Sequence, residues 1–86
     1  MRLITIGRSP DNDVHIDDAT VSRRHAELVV TNDGQYYLSD CNSTVGTCVA
    51  APGGAIAIRQ RFVQRDDQLT FGDVEVSLRE ILSTAR

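Results

Sequence analysis

The sequence predicts an all-β fold, an antiparallel β-sandwich or barrel, that forms a single domain over residues 1–86 with its core at about 3–78. Three observations indicate this fold. Short segments alternate apolar and polar residues, turn-forming residues separate them, and helical periodicity is nearly absent. The length of 86 residues fits one compact domain and leaves no room for a second.

The predicted strands follow one another along the chain, and turn residues bound each of them. The strongest local prediction is a hairpin, because Asn32, Asp33 and Gly34 supply turn chemistry between two alternating segments. Leu78, Ile81 and Leu82 have helical spacing and predict one or two helical turns at the C-terminal end. The apolar segments, in order, are 3–6, 14–16, 26–30, 36–38, 47–49, 55–58, 61–63, 69–71 and 74–78.

The charge composition excludes two classes of partner. All nine basic residues are arginines, and the formal net charge is -3. A surface that binds nucleic acid or an anionic membrane needs a net basic patch, so we expect neither partner. Cys41 and Cys48 lack the spacing of a zinc site and are expected to be free thiols. With no signal-peptide pattern, we expect a cytoplasmic protein.

Three segments carry groups that suit a phosphate. They are Gly7-Arg8-Ser9, Ser22-Arg23-Arg24-His25, and the hydroxyl-rich run at 42–47. A phosphate favours guanidinium groups and short hydroxyl donors, because charge-assisted hydrogen bonds are about twice as strong as neutral ones. Each motif alone is common, since a surface arginine is usually solvated, a histidine beside a buried strand is usually structural, and hydroxyl-rich loops usually form turns.

The order and spacing of these motifs together are more specific. Gly7-Arg8, then Ser22-x-x-His25, then Asp40-x-x-Ser43-Thr44-x-Gly46-Thr47 resemble the forkhead-associated (FHA) domain. This resemblance covers nearly the whole chain and implies a SMAD/FHA-type sandwich that recognises phosphothreonine peptides through loops at one end. It implies no cofactor.

The resemblance also implies roles for individual residues. Arg8 and Ser22 are expected to contact the phosphate, with help from Arg23 and Thr44. Ser43 and Val45 lie beside Thr44 and complete the predicted phosphopeptide-binding set. The side chain of His25 is expected to brace the loops, and Gly7 and Gly46 are expected to serve backbone geometry.

One position departs from the family pattern, because Val45 stands where the family has asparagine. The amide of that asparagine bonds the peptide main chain, and a valine side chain offers no such group. The departure leaves two hypotheses. The chain is either a phosphothreonine-binding module in Ser/Thr kinase signalling, weakened at Val45, or an FHA domain that binds protein partners independently of phosphate.

An enzymatic or metal-binding role fits the sequence poorly. Ser22 and His25 lack the strand-turn-helix elbow that a serine nucleophile uses. Four aspartates suggest a calcium loop, but Ile16 and Ser22 occupy the positions that need glycine and glutamate. We therefore expect no catalytic residue and no metal. The sequence does not predict the oligomeric state.

Overall fold

The computed structural model describes residues 1–86, which form two packed β-sheets and one helix. The first sheet has five strands in the order β2-β1-β3-β4-β7, and the second has four in the order β6-β5-β8-β9. Every neighbouring pair is antiparallel except β1 and β2. The elements are β1 (Arg2–Gly7), β2 (Val14–His15), β3 (Ala26–Val30), β4 (Tyr36–Asp40), β5 (Thr47–Ala51), β6 (Gly54–Ile58), β7 (Gln60–Val63), β8 (Gln68–Phe71), β9 (Val74–Ser77) and α1 (Leu78–Thr84).

The predicted all-β sandwich is confirmed, and its core follows from strand alternation. Successive side chains of a strand point to opposite faces, so every second residue faces the other sheet. In β1 these are Ile4 and Ile6, and in β3 they are Ala26 and Leu28, all fully buried. The remaining buried hydrophobic residues are Val14, Val21, Leu38, Val49, Val63, Leu69, Phe71, Leu78 and Ile81.

The C-terminal helical turns are also present, as α1. Ser77 caps this helix, because its Oγ accepts a hydrogen bond from the backbone N–H of Glu80 at 3.1 Å. Leu78 and Ile81 turn into the core. No helix in the structure is long and apolar enough to cross a membrane.

Some apolar segments are less buried than their alternation predicts. In β7 only Val63 enters the core, whereas Phe62 is 53% exposed. Val74 and Val76, in the alternating apolar segment 74–78, are only half-buried. The strand predicted at 14–16 contains only Val14 and His15. These segments lie at sheet edges or on the outer face, where the opposite sheet does not cover them.

Candidate functional site

The three predicted loop segments meet at one end of the sandwich. The segment after β1 lies against the segment before β3 through two backbone hydrogen bonds. The N–H of Arg8 donates to the carbonyl of Ser22 at 2.9 Å, and the N–H of Ser9 donates to the carbonyl of Arg23 at 3.2 Å. The structure therefore brings the first two motifs together, although they lie far apart along the chain.

Gly7 permits this close approach. A Cβ added at Gly7 would lie 2.1 Å from the carbonyl oxygen of Arg23, well inside any real contact distance. Gly7 is also buried, so a larger side chain could not turn away into solvent. A glycine is needed here because another backbone occupies the space of a side chain.

The side chain of Arg8 is partly anchored and partly available. Its Nε donates to the carbonyl of Val21 at 3.0 Å. The two terminal Nη groups make no hydrogen bond or ion pair within the protein. The guanidinium is thus fixed through one nitrogen and keeps two planar donor groups for an anion.

Ser22 links the second loop to the third. Its Oγ accepts a hydrogen bond from the backbone N–H of Thr44 at 3.1 Å. Because the Oγ is the acceptor in that contact, the hydroxyl proton of Ser22 remains available to a ligand. This contact brings Thr44, which is exposed, beside Ser22.

His25 lies beneath the loops and is fully buried. Its Nδ1 accepts the N–H of Ser22 at 3.0 Å, so this nitrogen carries no proton. Its Nε2 lies 2.9 Å from the carbonyl oxygen of Gly46 and must donate there. The ring is therefore a neutral imidazole whose two nitrogens connect the second and third loops, and it packs edge-on against Phe71 with centroids 5.7 Å apart.

The third loop is organised by Asp40 at the end of β4. The carboxylate accepts the backbone N–H of Ser43 at 2.9 Å and the hydroxyls of Ser43 at 2.5 Å and Thr47 at 2.7 Å. Burial by itself would raise the pKa of Asp40, but these hydrogen bonds outweigh burial and hold the pKa below its ordinary value. The hydroxyl of Ser43 is thus directed to Asp40 within the loop.

Asn12 holds the first two loops together, and sequence reasoning missed it. This residue is only 1% exposed, and its Nδ2 donates to the carbonyls of Ser9 at 2.8 Å and Arg23 at 2.7 Å. Its neighbours in the sequence, Asp11 and Asp13, are two of the four aspartates that suggested a calcium loop. No local pattern in the sequence marks a side chain that bridges two distant loops.

The remaining predicted residues lie on the surface of the same end. Val45 is 55% exposed. Arg23 is exposed and its side chain has no partner within the protein, whereas Arg24 forms an ion pair with Glu27 at 3.5 Å. A cavity of about 460 Å³ lies at the other end, beside the β3–β4 turn, with Gly34 and Phe62 in its wall.

This fold, together with three loops joined at one end, is typical of one family of binding domains. The family profile of the FHA domain matches residues 4–73, so the chain belongs to the FHA domain family. The resemblance noted in the sequence is therefore confirmed.

Individual relatives and solved structures are also similar to this chain. The chain is 49% identical over 45 residues to the oxoglutarate dehydrogenase inhibitor of Corynebacterium glutamicum, a match that covers 52% of this chain and 31% of that protein. It is also similar to Mycobacterium tuberculosis EmbR, solved in complex with a low affinity phosphopeptide, with a TM-score of 0.75 and 32% identity over 87% of this chain and 19% of EmbR. A domain solved in a study of phosphothreonine-dependent FHA domain interactions has a TM-score of 0.76 and 30% identity, over 90% of this chain and 77% of that one.

Proposed function

We propose that this FHA domain is a phosphothreonine-dependent peptide-binding module in Ser/Thr kinase signalling and has no catalytic role. The observation that carries the proposal is the joining of three loops around Arg8 and Ser22. Two contacts support it: the N–H of Thr44 donates to the Oγ of Ser22 at 3.1 Å, and the Nε of Arg8 donates to the carbonyl of Val21, the residue before Ser22. The phosphopeptide bound to EmbR supports this proposal by analogy.

The proposed mechanism begins with phosphate capture by a preformed set of donors. The Nη groups of Arg8 offer two hydrogen bonds to phosphate oxygens, and the hydroxyl of Ser22 offers a third. At the edge of this set of donors, Arg23 adds a positive charge and Thr44 adds a hydroxyl. His25, Asn12 and Asp40 already hold the loops in place. Peptide binding therefore loses little conformational entropy from ordering these loops.

The same geometry limits the hydrogen bonds that the site can make to the peptide main chain. Val45 is exposed beside Thr44 but has no side-chain hydrogen-bonding group. Phosphate recognition therefore contributes most of the binding energy, and affinity depends strongly on the phosphate. A Ser/Thr kinase must act first, since the domain has no means of forming phosphothreonine itself.

Calorimetry with a peptide selected from a degenerate phosphothreonine library tests this proposal. We expect the phosphopeptide to bind and its unphosphorylated twin to bind at least about 10-fold more weakly, because charge-assisted hydrogen bonds contribute about 1.5 to 3 kcal/mol each. Arg8→Ala should remove most of the difference. Arg79→Ala, on α1 and paired with Asp66, is the matched control and should bind like the wild type.

A second candidate function is phosphate-independent protein binding, favoured by the exposed Val45. Under this alternative, both peptide forms bind equally and Arg8→Ala changes neither affinity. The same titrations therefore separate the two candidates, and equal binding of both forms would reject phosphothreonine dependence.

A further inference from the structure

A row of apolar side chains crosses the outer face of the five-stranded sheet. Leu3 on β1 pairs with Val29 on β3, Val29 pairs with Tyr37 on β4, and Tyr37 pairs with Phe62 on β7. Directly paired residues of antiparallel strands project from the same face. These four residues, called here the apolar row, therefore lie side by side on the face opposite the core.

The apolar row is open to solvent at both ends. Leu3 is 51% exposed and Phe62 is 53% exposed, while Val29 and Tyr37 are half-buried. The rings of Tyr37 and Phe62 contact each other edge to face with centroids 4.8 Å apart. The only helix, α1, packs beside β9 of the other sheet and covers none of the row. A contiguous exposed apolar strip of this kind is typical of an interaction surface.

The charges around the row balance, so its surroundings have no net charge. The next row of paired residues consists of Thr5, Glu27, Ser39 and Gln60. Glu27 is the one charged residue among them, and Arg24 neutralises it at 3.5 Å. The strand ends on the other side carry the uncharged residues Thr31, Gln35 and Gln64, together with one charge of each sign: the N-terminal amino group of Met1, which donates to Asn32, and the carboxylate of Asp33, which accepts the hydroxyl of Thr31.

We propose that the apolar row is a self-association surface that takes a second copy of this chain. Each copy carries a net charge of -3, so two copies repel unless they meet through a neutral face, and this face is neutral. A two-fold axis that lies in the interface, parallel to the strands and midway between β3 and β4, brings the two outer faces together and places the row of one copy on the reversed row of the other. Leu3 then packs on Phe62 of the second copy, and Val29 packs on Tyr37 of the second copy.

The same axis avoids a like-charge contact. It places the polar row that contains Glu27 opposite the same row of the second copy in reversed order, so that Glu27 faces the neutral Ser39 of that copy and not its own equivalent. The aliphatic end of each row meets the aromatic end of the other. The outer face therefore complements the same face of a second copy, both in its apolar side chains and in its charges.

The size of the face sets the strength of the contact. Four strands about 4.8 Å apart and three residue rows about 7 Å apart give roughly 400 Å² per copy, or roughly 800 Å² in total. Stable interfaces usually exceed about 1,000 Å². We therefore expect a weak dimer, with a dissociation constant on the order of 10⁻⁴ M.

Sedimentation equilibrium across concentrations from about 10 µM to about 1 mM tests the proposal, since self-association depends on concentration. The apparent mass of the wild type should rise from 9.4 kDa towards twice that value. Phe62→Ser should remain monomeric throughout. Ile56→Ser is the matched control, because Ile56 is 45% exposed on β6 of the other sheet, and it should associate like the wild type. A monomeric wild type at the highest concentration, or Phe62→Ser that still dimerises, would overturn the proposal.

Disulfide trapping tests the orientation. In a Cys41→Ser, Cys48→Ser background, a mixture of Leu3→Cys chains and Phe62→Cys chains should form a cross-linked heterodimer on mild oxidation. Either chain alone should give little product, because the axis places like positions at opposite ends of the row. Predominant like-with-like products would reject the proposed axis.

Peptide binding separates this surface from the proposed phosphopeptide site. Phe62→Ser should bind the phosphothreonine peptide like the wild type, and Arg8→Ala should dimerise like the wild type. Loss of dimerisation in Arg8→Ala would contradict a self-association surface on the sheet. An unphosphorylated protein that bound the wild type but not Phe62→Ser, with the wild type itself monomeric, would assign the row to a different partner.

Discussion

At the scale of single residues, Arg8 and Val45 contribute unequally to the proposed binding of a phosphopeptide. Arg8 has one nitrogen fixed on the carbonyl of Val21 and two terminal groups left for an anion. Val45 is exposed beside them with only its backbone to offer a peptide. In the proposed site, the phosphate would therefore find more hydrogen-bond donors than the peptide main chain that carries it.

Val45→Asn should tighten phosphothreonine-peptide binding. The added amide can make two hydrogen bonds to the peptide main chain, each worth roughly 0.5 to 1.5 kcal/mol, which corresponds to a gain of roughly 5- to 150-fold in affinity. Calorimetry measures the gain directly. Val45→Thr is similar in size but has no amide, and it should bind like the wild type. An unchanged affinity in Val45→Asn would show that the loop does not present position 45 to the peptide.

The sequence predicts some site residues better than others, for a physical reason. Arg8, Ser22 and Thr44 lie in motifs whose chemistry and spacing are visible in the chain, and the structure brings all three motifs together. Asn12 acts by donating to two carbonyls from separate loops. Such a bridge depends on three-dimensional proximity, which local residue patterns do not encode.

At the scale of elements, the first and second loops depend on close backbone contact. Two backbone hydrogen bonds and the two donated by Asn12 hold the segment after β1 against the segment before β3. Gly7 is the position where this contact leaves no space for a side chain.

Gly7→Ala should therefore separate these two loops. The new Cβ would meet the carbonyl of Arg23 at 2.1 Å, and we expect a loss of about 1 to 3 kcal/mol in the free energy of unfolding, together with weaker phosphopeptide binding. Urea denaturation measures the first effect and calorimetry the second. Gly53→Ala is the control, because nothing lies within 4 Å of a Cβ at Gly53, and it should change neither quantity appreciably.

The elements also show where the alternation of apolar and polar residues correctly predicts burial. In β1, β3 and β4 the alternate residues Ile4, Leu28 and Leu38 are fully buried as predicted, since these strands lie inside the five-stranded sheet. β6 and β7 are sheet edges. No residue of β6 is buried, and in β7 Phe62 is exposed although Val63 is buried. A strand's own sequence does not reveal whether a second sheet covers it, so the exposure of Phe62 was not predictable.

At the scale of the whole molecule, carboxylates that accept hydrogen bonds link stability to pH. Hydrogen bonds from Ser9, Thr5 and Thr20 lower the pKa values of Asp11, Asp13 and Asp18 respectively, and the pKa of Asp40 is also lowered. Because each folded-state pKa lies below the ordinary value of 3.8, the unfolded chain binds more protons in acid. This contribution is complete above that value and is lost as the pH falls through the folded-state pKa values.

We therefore expect these carboxyl groups to lower the free energy of unfolding as the pH falls from about 5 to about 2, with most of the loss below about pH 4. Urea titrations over this range measure the decline. Asp40→Asn should be less stable at neutral pH and should show a smaller decline in acid, since it removes one of these carboxyls. Asp73→Asn, whose exposed side chain makes no hydrogen bond or ion pair, should follow the wild-type profile. A decline in Asp40→Asn as large as that of the wild type would argue against this role for Asp40.

The contact between the N–H of Gly72 and the carbonyl of Gly46 has a consequence for the order of events during synthesis. All the proposed phosphate contacts lie between Arg8 and Val45, so a nascent chain contains every one of them when little more than half of this domain has been made. The third loop, however, ends at Gly46, whose carbonyl is held at 3.0 Å by a residue translated much later. Domains generally fold as units. A ribosome-bound chain should therefore remain unable to capture phosphothreonine until β8 and the turn after it have emerged from the exit tunnel.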